Sequence, residues 1–319
     1  MSIKKIASVI IFVFCLNAGH LYGQTFREWT LSDALESKLY TLYEGVYRES
    51  WPFLFVWHLN KVKALDKALL KATYDIDAVV DTLDMRKQAK DRVVVLAGNN
   101  ILHSFGHGFW SSSMQNTVGG LEAYKYNLPK GYKDILNWFV YRDLRKKSIS
   151  NYHALPLKKD YAIMYEEEQP AFNWEITDET ISILGYACQK AETHYRGRNW
   201  TVWFCPEIPV DGGLWKFSGL PGLIMKAEDN EHFYSFSCVG LERTDENINL
   251  PTGITVRKLN RDKFRRVERQ HYMSPLQNSD REMGYMIGSH LSAKEDNGTE
   301  LLLFTPENYM HPYFPMERE

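Results

Sequence analysis

The chain has 319 residues, 44% of them hydrophobic and 14% aromatic, enough for one large or two small packed domains. A formal net charge of -2 gives no bulk electrostatic pull toward nucleic acid or an anionic membrane surface. The dinucleotide fingerprint, the P-loop, the His-Glu-x-x-His zinc motif and internal repeats are all missing from the sequence.

Residues 1–23 read as an export signal, with Lys4 and Lys5 ahead of the apolar run Ile6 to Leu16 and small residues up to Gly23. The run is too short to span a bilayer, and cleavage is expected before Gln24. Bulky Phe14 precedes Cys15, which argues against lipid attachment there. The mature chain is expected to be soluble or peripheral. It keeps Cys188, Cys205 and Cys238, an odd count that leaves a thiol free or paired between molecules in an oxidising compartment.

Residues 24–71 are expected to form a helical extension. Leu35, Leu39, Leu42 and Val46 recur at helical spacing behind a capping Thr30, Ser32 or Asp33. Lys61 to Lys71 mixes lysine with alanine and leucine like an amphipathic helix. This extension is expected to cover one end of a sheet or, as the alternative, to lie on a membrane.

Residues 72–242 read as a β domain. Ala72 to Thr82 and Arg92 to Ala97 are strands, joined by a charged connector and closed by Gly98-Asn99-Asn100. His103 and His107 are four apart and share a side of a helix or strand. Two histidines need a third ligand to hold a metal, so they are weak metal candidates and are expected on the surface or in a loop. Ser111 to Ser113 lacks the frame of a nucleophile elbow. Tyr132 to Lys147 is expected to be a helix whose basic end, including Arg142, suits the helix dipole and faces solvent. Tyr161 to Tyr165 is a strand, and Glu166 to Glu168 an exposed acidic loop, because adjacent carboxylates repel.

Ile181 to Tyr195 and Trp200 to Phe204 flank a glycine-containing turn and read as a hairpin. With Gly197-Arg198 as the turn pair, Arg196 faces Asn199 and Cys205 faces Lys190. A register slip of two would bring Cys188 opposite Cys205, so the two are either a cross-strand disulfide or a pair of buried thiols. Pro206 and Pro209 exclude a central strand beyond this point. Asp211-Gly212-Gly213 is a turn, and Trp215-Lys216-Phe217 places both rings on one side of a strand. Ser218 to Ile224 is an apolar loop of nearly fixed path, expected to pack on a core. Its alternative role is a ligand or partner surface.

The run Gly219-Leu220-Pro221-Gly222-Leu223-Ile224 resembles the signature of the GLPGLI family of Bacteroidetes exported proteins. Gly185-Tyr186, Cys188, Lys190-Ala191, Gly197-Arg198, Trp203-Phe204, Glu207-Ile208-Pro209, Trp215 and Lys216-Phe217 accompany it in order. The resemblance covers 72–242, with Leu214 departing from the proline expected there. It implies a predominantly β exported protein of unassigned activity and supplies no catalytic residue.

Met225 to Glu242 reads as a hairpin with an acidic turn near Asp229-Asn230. In 243–319, the basic stretch Lys258 to Arg269 is expected to be a solvated surface helix, and the chain from Met273 a peripheral tail. The fold expected is mainly β, an antiparallel curved sheet or open barrel with helical segments at the N-terminus and near the C-terminus. Its concave face is the natural place for a small apolar ligand. The leading functional expectation is non-enzymatic binding or scaffolding at the cell envelope. The partner would be an outer-membrane or periplasmic protein or that small ligand, with no cofactor and no nucleic acid. The alternatives are an envelope hydrolase using Glu207, Asp211 or His194, and metal handling through His103, His107 and the odd thiol.

Overall fold

The computed structural model describes residues 61–79, 88–108, 110, 136, 138–155, 160–273, 292–294, 300–302 and 315–318. The helix expected over 30–50, the export signal and Ser111 to Ser113 lie outside these residues.

The strands are β1 (Val62–Val79), β2 (Gln88–Gly98), β3 (Ile101–Gly106), β4 (Trp138–Asp143), β5 (Ser148–Ala154), β6 (Tyr161–Glu168), β7 (Glu175–Ile183), β8 (Tyr186–Tyr195), β9 (Arg198–Cys205), β10 (Leu223–Asp229), β11 (Tyr234–Arg243), β12 (Asn247–Pro251) and β13 (Thr255–Lys258). Helix α1 (Arg261–Met273) follows, then the two short strands β14 (Ser292–Lys294) and β15 (Glu300–Leu302). Strands β1 to β13 make one open sheet in the order β13-β6-β5-β4-β3-β2-β1-β11-β10-β9-β8-β7, with β12 alongside β1. The pairings are antiparallel except for the parallel pair of β13 with β6. The protein is therefore mainly β, as the alternation predicts. Among the described residues, no helix is long and apolar enough to cross a membrane.

The sheet is strongly curved. Strands β6 and β8 are nine neighbour steps apart in it. At about 4.8 Å per step, a flat sheet would hold them roughly 43 Å apart. Yet Arg196, just past β8, forms an ion pair with Glu167 of β6. The sheet therefore rolls until its two ends meet through side chains, while staying open in its hydrogen bonding.

Two segments expected to be helical are strands. Lys61 to Lys71 lies largely in β1, where Ala72, Tyr74, Ile76 and Ala78 fill one face at period two. Strand β12 pairs with Val62 to Lys67 on one side, and β2 and β11 flank the strand from Ala68 and Leu70 onward. Such pairing outweighs the helix preference of lysine, alanine and leucine. The expected boundary at 71/72 thus falls inside one strand. Likewise Tyr132 to Lys147 contains β4 and the turn into β5. Trp138, Val140 and Arg142 alternate on its inner face, so Arg142 is buried rather than solvated.

The hairpin of β8 and β9 forms, but two residues out of the expected register. Tyr195 pairs with Arg198, so Arg196 and Gly197 make the turn. Both have positive φ, 46° and 78°, which matches the twist of a two-residue hairpin. Cys188 and Cys205 then fall one step beyond the last pair, Gln189 with Phe204.

Helix α1 appears where the basic stretch predicts it, with Asn260 capping the Lys263 amide at 2.9 Å. It is not a purely solvated helix. Phe264 is buried against Tyr165 and Ile163, and Glu268 reaches His153. The tail is not wholly peripheral either, because Met316 and Glu317 are buried.

Candidate functional site

The concave face is filled by the protein itself. Pro206 to Gly222, between β9 and β10, folds inside the rolled sheet. Leu214, Trp215, Lys216, Phe217 and Leu220 are all buried there, while Gly219 and Pro221 stay exposed. Trp215 and Phe217 do both face the core, with ring centroids 5.2 Å apart. They do so from a turn rather than a strand, and Trp215 has φ of 51°. Trp200 of β9 packs on both rings.

Fixed polar contacts hold this loop. Arg142 donates to the carbonyls of Asp211 and Phe217 at 2.8 and 2.7 Å, and to the Asp211 carboxylate at 3.0 Å. The other Asp211 oxygen accepts from the Gly219 amide at 2.6 Å. Ser104 accepts from the Trp215 amide at 3.1 Å, and Trp174 donates to the Ser218 carbonyl at 2.8 Å. Tyr74 donates to the Ile224 carbonyl at 2.7 Å. The Gly219–Ile224 run is thus the exit from a plug, seated on β1, β3 and β4. A small apolar ligand on the concave face would meet these side chains rather than open surface.

The densest charge cluster is at the seam where the rolled sheet meets itself. Lys216 has no solvent exposure. It donates to Glu167 at 2.8 Å, to Glu317 and to Tyr165. Arg196 and Arg261 converge on the second Glu317 oxygen, at 2.8 and 2.7 Å. Burial alone would push the Lys216 ammonium down, but Glu317, Tyr165 and Glu167 together hold it above its ordinary range. Burial would raise the Glu317 carboxyl, but Lys216 and Arg196 hold it at about 2. Nearby, Arg198 is buried against Asp229 at 2.8 Å and donates to the Pro315 carbonyl at 2.9 Å.

Of the residues singled out by sequence, Arg198 and Lys216 belong to this seam. Gly197 is in its hairpin turn. Glu207 and Pro209 are exposed beyond β9. The hydrolase candidates are not gathered into one group. His194 faces Asn199 at 2.7 Å, and Asp211 is held by Arg142. Glu167 is in strand β6 with its carboxylate in the seam, so the acidic stretch is not uniformly an exposed loop.

His103 is not a surface histidine. Its ring is buried, stacked on Tyr141 with centroids 4.1 Å apart, and faces the Val140 carbonyl. Burial pushes its pKa down to about 3, so the imidazole is neutral. His107 is half-buried beyond the end of β3. Among the described residues, no three His, Cys, Asp or Glu side chains are placed to hold a metal ion. The thiols of Cys188, Cys205 and Cys238 are all buried and unbonded. Cys188 lies 3.6 Å from the Met225 sulfur, and burial pushes its thiol up to about 11.

Sequence reasoning missed Arg142, Glu167, Arg261 and Glu317. The alternation Trp138-Val140-Arg142 was a usable signal for the first. Nothing local marks Glu317, whose Lys216 partner is 101 residues away.

No protein-family model matches this chain, and no curated protein does. Among solved structures, PNGF-II is similar in part. In its C2 crystal form the TM-score is 0.43 at 13% identity, over 62% of this chain and 32% of that one. In its P21 form the values are 0.46 and 12%, over 73% and 39%. This chain spans 32% and 39% of those chains, and likeness at that level carries no argument about its function.

Proposed function

We propose that this protein is exported to the cell envelope, in the periplasm or at the outer membrane, and works there by binding or scaffolding rather than by catalysis. The export signal over 1–23 and the resemblance of Gly219 to Ile224 and its companions to the GLPGLI family support the compartment. The seam carries the binding reading. Lys216, Arg196 and Arg261 surround one carboxylate, Glu317, which is 101, 121 and 56 residues from them in sequence. A rolled sheet plugged by its own loop gives such a seam a rigid frame, and rigid framing lowers the ordering cost of binding.

Native mass spectrometry of the mature protein, taken from its own envelope fraction without chelator, tests this reading. A defined added mass of a peptide, lipid or second chain is expected. A bare monomer across independent preparations would count against stable binding. A start at any residue far from Gln24 would count against the export signal.

A further inference from the structure

The seam holds Pro315–Arg318 as a receptor holds a peptide. We propose that it is a binding site for a short peptide of apolar-acidic-basic sequence, and that Pro315–Arg318 is the resident ligand, supplied by the chain itself. This deepens the binding reading above and rests on it.

Four successive residues are each read by different groups. The Pro315 carbonyl accepts from Arg198 at 2.9 Å. Met316 is buried in the main core cluster. The Glu317 carboxylate takes Lys216, Arg196 and Arg261, and its carbonyl accepts from Arg265 at 3.1 Å. Arg318 donates from its amide to the Arg196 carbonyl at 2.9 Å. Its guanidinium forms a two-pronged pair with Glu231 and lies 5.3 Å from the Phe233 ring centroid. Backbone contacts fix the line of the segment, and side-chain sites fix its sequence. That division is how extended peptides are recognised generally.

Charge makes the site demand an acidic ligand. Without Glu317, Lys216 and Arg196 would share the single carboxylate of Glu167, an excess of one positive charge. With the segment in place, Lys216 has no solvent exposure. An incoming glutamate removes that excess charge, and a glutamine does not. The ligand class is therefore set by the seam: a carboxylate, with an apolar side chain before it and a guanidinium or ammonium after it.

The test keeps the full chain. A specific protease site is placed within 305–312, and the chain is cleaved after folding. A labelled peptide Pro-Met-Glu-Arg-Glu is then titrated by fluorescence anisotropy, beside the same peptide with glutamine for the first glutamate. Expected is saturable binding to the cleaved chain, with the glutamine peptide weaker by about 10- to 100-fold. The uncleaved chain should bind far more weakly, because its own segment competes at roughly millimolar effective concentration. Native mass spectrometry of the cleaved chain should show the released segment replaced by the labelled one. Equal affinity for the two peptides would overturn the proposal. So would a released segment that stays bound and never exchanges, since it would then be part of the fold rather than a ligand. Either failure leaves the envelope measurement above unaffected, so the broader binding reading stands or falls separately.

Discussion

Gly219 and Gly222 belong to one short motif, yet alanine should be tolerated very differently at each. A Cβ on Gly222 would lie 2.1 Å from the Cys205 carbonyl oxygen, 2.5 Å from its carbon and 2.9 Å from the Pro206 nitrogen. All three are backbone atoms at the end of β9, so no rotamer change relieves the overlap. The residue also has φ of 156°, where side-chain-bearing residues rarely lie. Overpacking a tight site costs about 1–3 kcal/mol and an unfavourable backbone about as much again, so Gly222→Ala should cost roughly 4 kcal/mol. At Gly219 the nearest atoms to an added Cβ belong to Trp174, at 3.8 Å, an ordinary contact. Only its φ of 87° remains, worth about 1–2 kcal/mol. Equilibrium urea unfolding of both variants measures the difference as a shift in midpoint at unchanged slope. If Gly219→Ala proved as costly as Gly222→Ala, the reasoning would fail, because the close approach to β9 would not be what the motif protects.

Three further outcomes are expected. Arg142→Met leaves the Asp211 and Phe217 carbonyls and the Asp211 carboxylate without their buried partner. It should cost about 3 kcal/mol in urea unfolding and raise amide exchange across 211–219. An unchanged midpoint would mean that the plug holds without this grip. Glu317 is held at about 2 against an ordinary 4.5, so its contribution is fully present above about pH 4.5 and is lost as pH falls toward 2. The stability gap between the parent and Glu317→Gln should therefore narrow over that range, and a constant gap would refute the pairing. Cys188 and Cys205 are seven steps from the hydrogen-bonded closing pair of a two-residue hairpin, since 195 − 188 = 7. An odd step places them at a non-hydrogen-bonded pair, where side chains approach closely enough for a disulfide. Incubation of the partly unfolded chain with oxidised glutathione, followed by refolding and peptide mapping, should join these two and leave Cys238 free. A map that joins Cys238 instead would rule the register out.

Period-two alternation was enough for the β class, for β2, β6, β8 and β9 and for the β10–β11 hairpin, because each such strand has one face in a core, whereas it did not mark β3, β5, β12 or β13. The helical pattern of the basic stretch Lys258 to Arg269, with Phe264 and Val267 as its apolar points, was enough for α1. The apolar loop from Ser218 to Ile224 could be read as packed, since Leu220, Leu223 and Ile224 have nowhere else to go. Local pattern failed where chain and core disagree. Lys61 to Lys71 carries strong helix formers, but pairing with β12 at its start and with β2 and β11 at its end made it part of β1. Arg142 looked like a solvated helix end because its inward face exists only once the plug is folded against β4.

The seam was beyond the sequence for a different reason. Lys216, Arg196, Arg261, Glu167 and Glu317 lie on five separate parts of the chain, and ordinary surface lysines, arginines and glutamates look the same in one dimension. Only the rolling of the sheet brings β6 to the end of β8, and only that closure takes Lys216 out of water. The sequence by itself determined which faces of its β10–β11 hairpin and which side chains of its Ser218 to Ile224 loop must be inside. The tertiary structure decided which charges had to follow them in, because a buried cation has to be met by a carboxylate wherever in the chain one can be found.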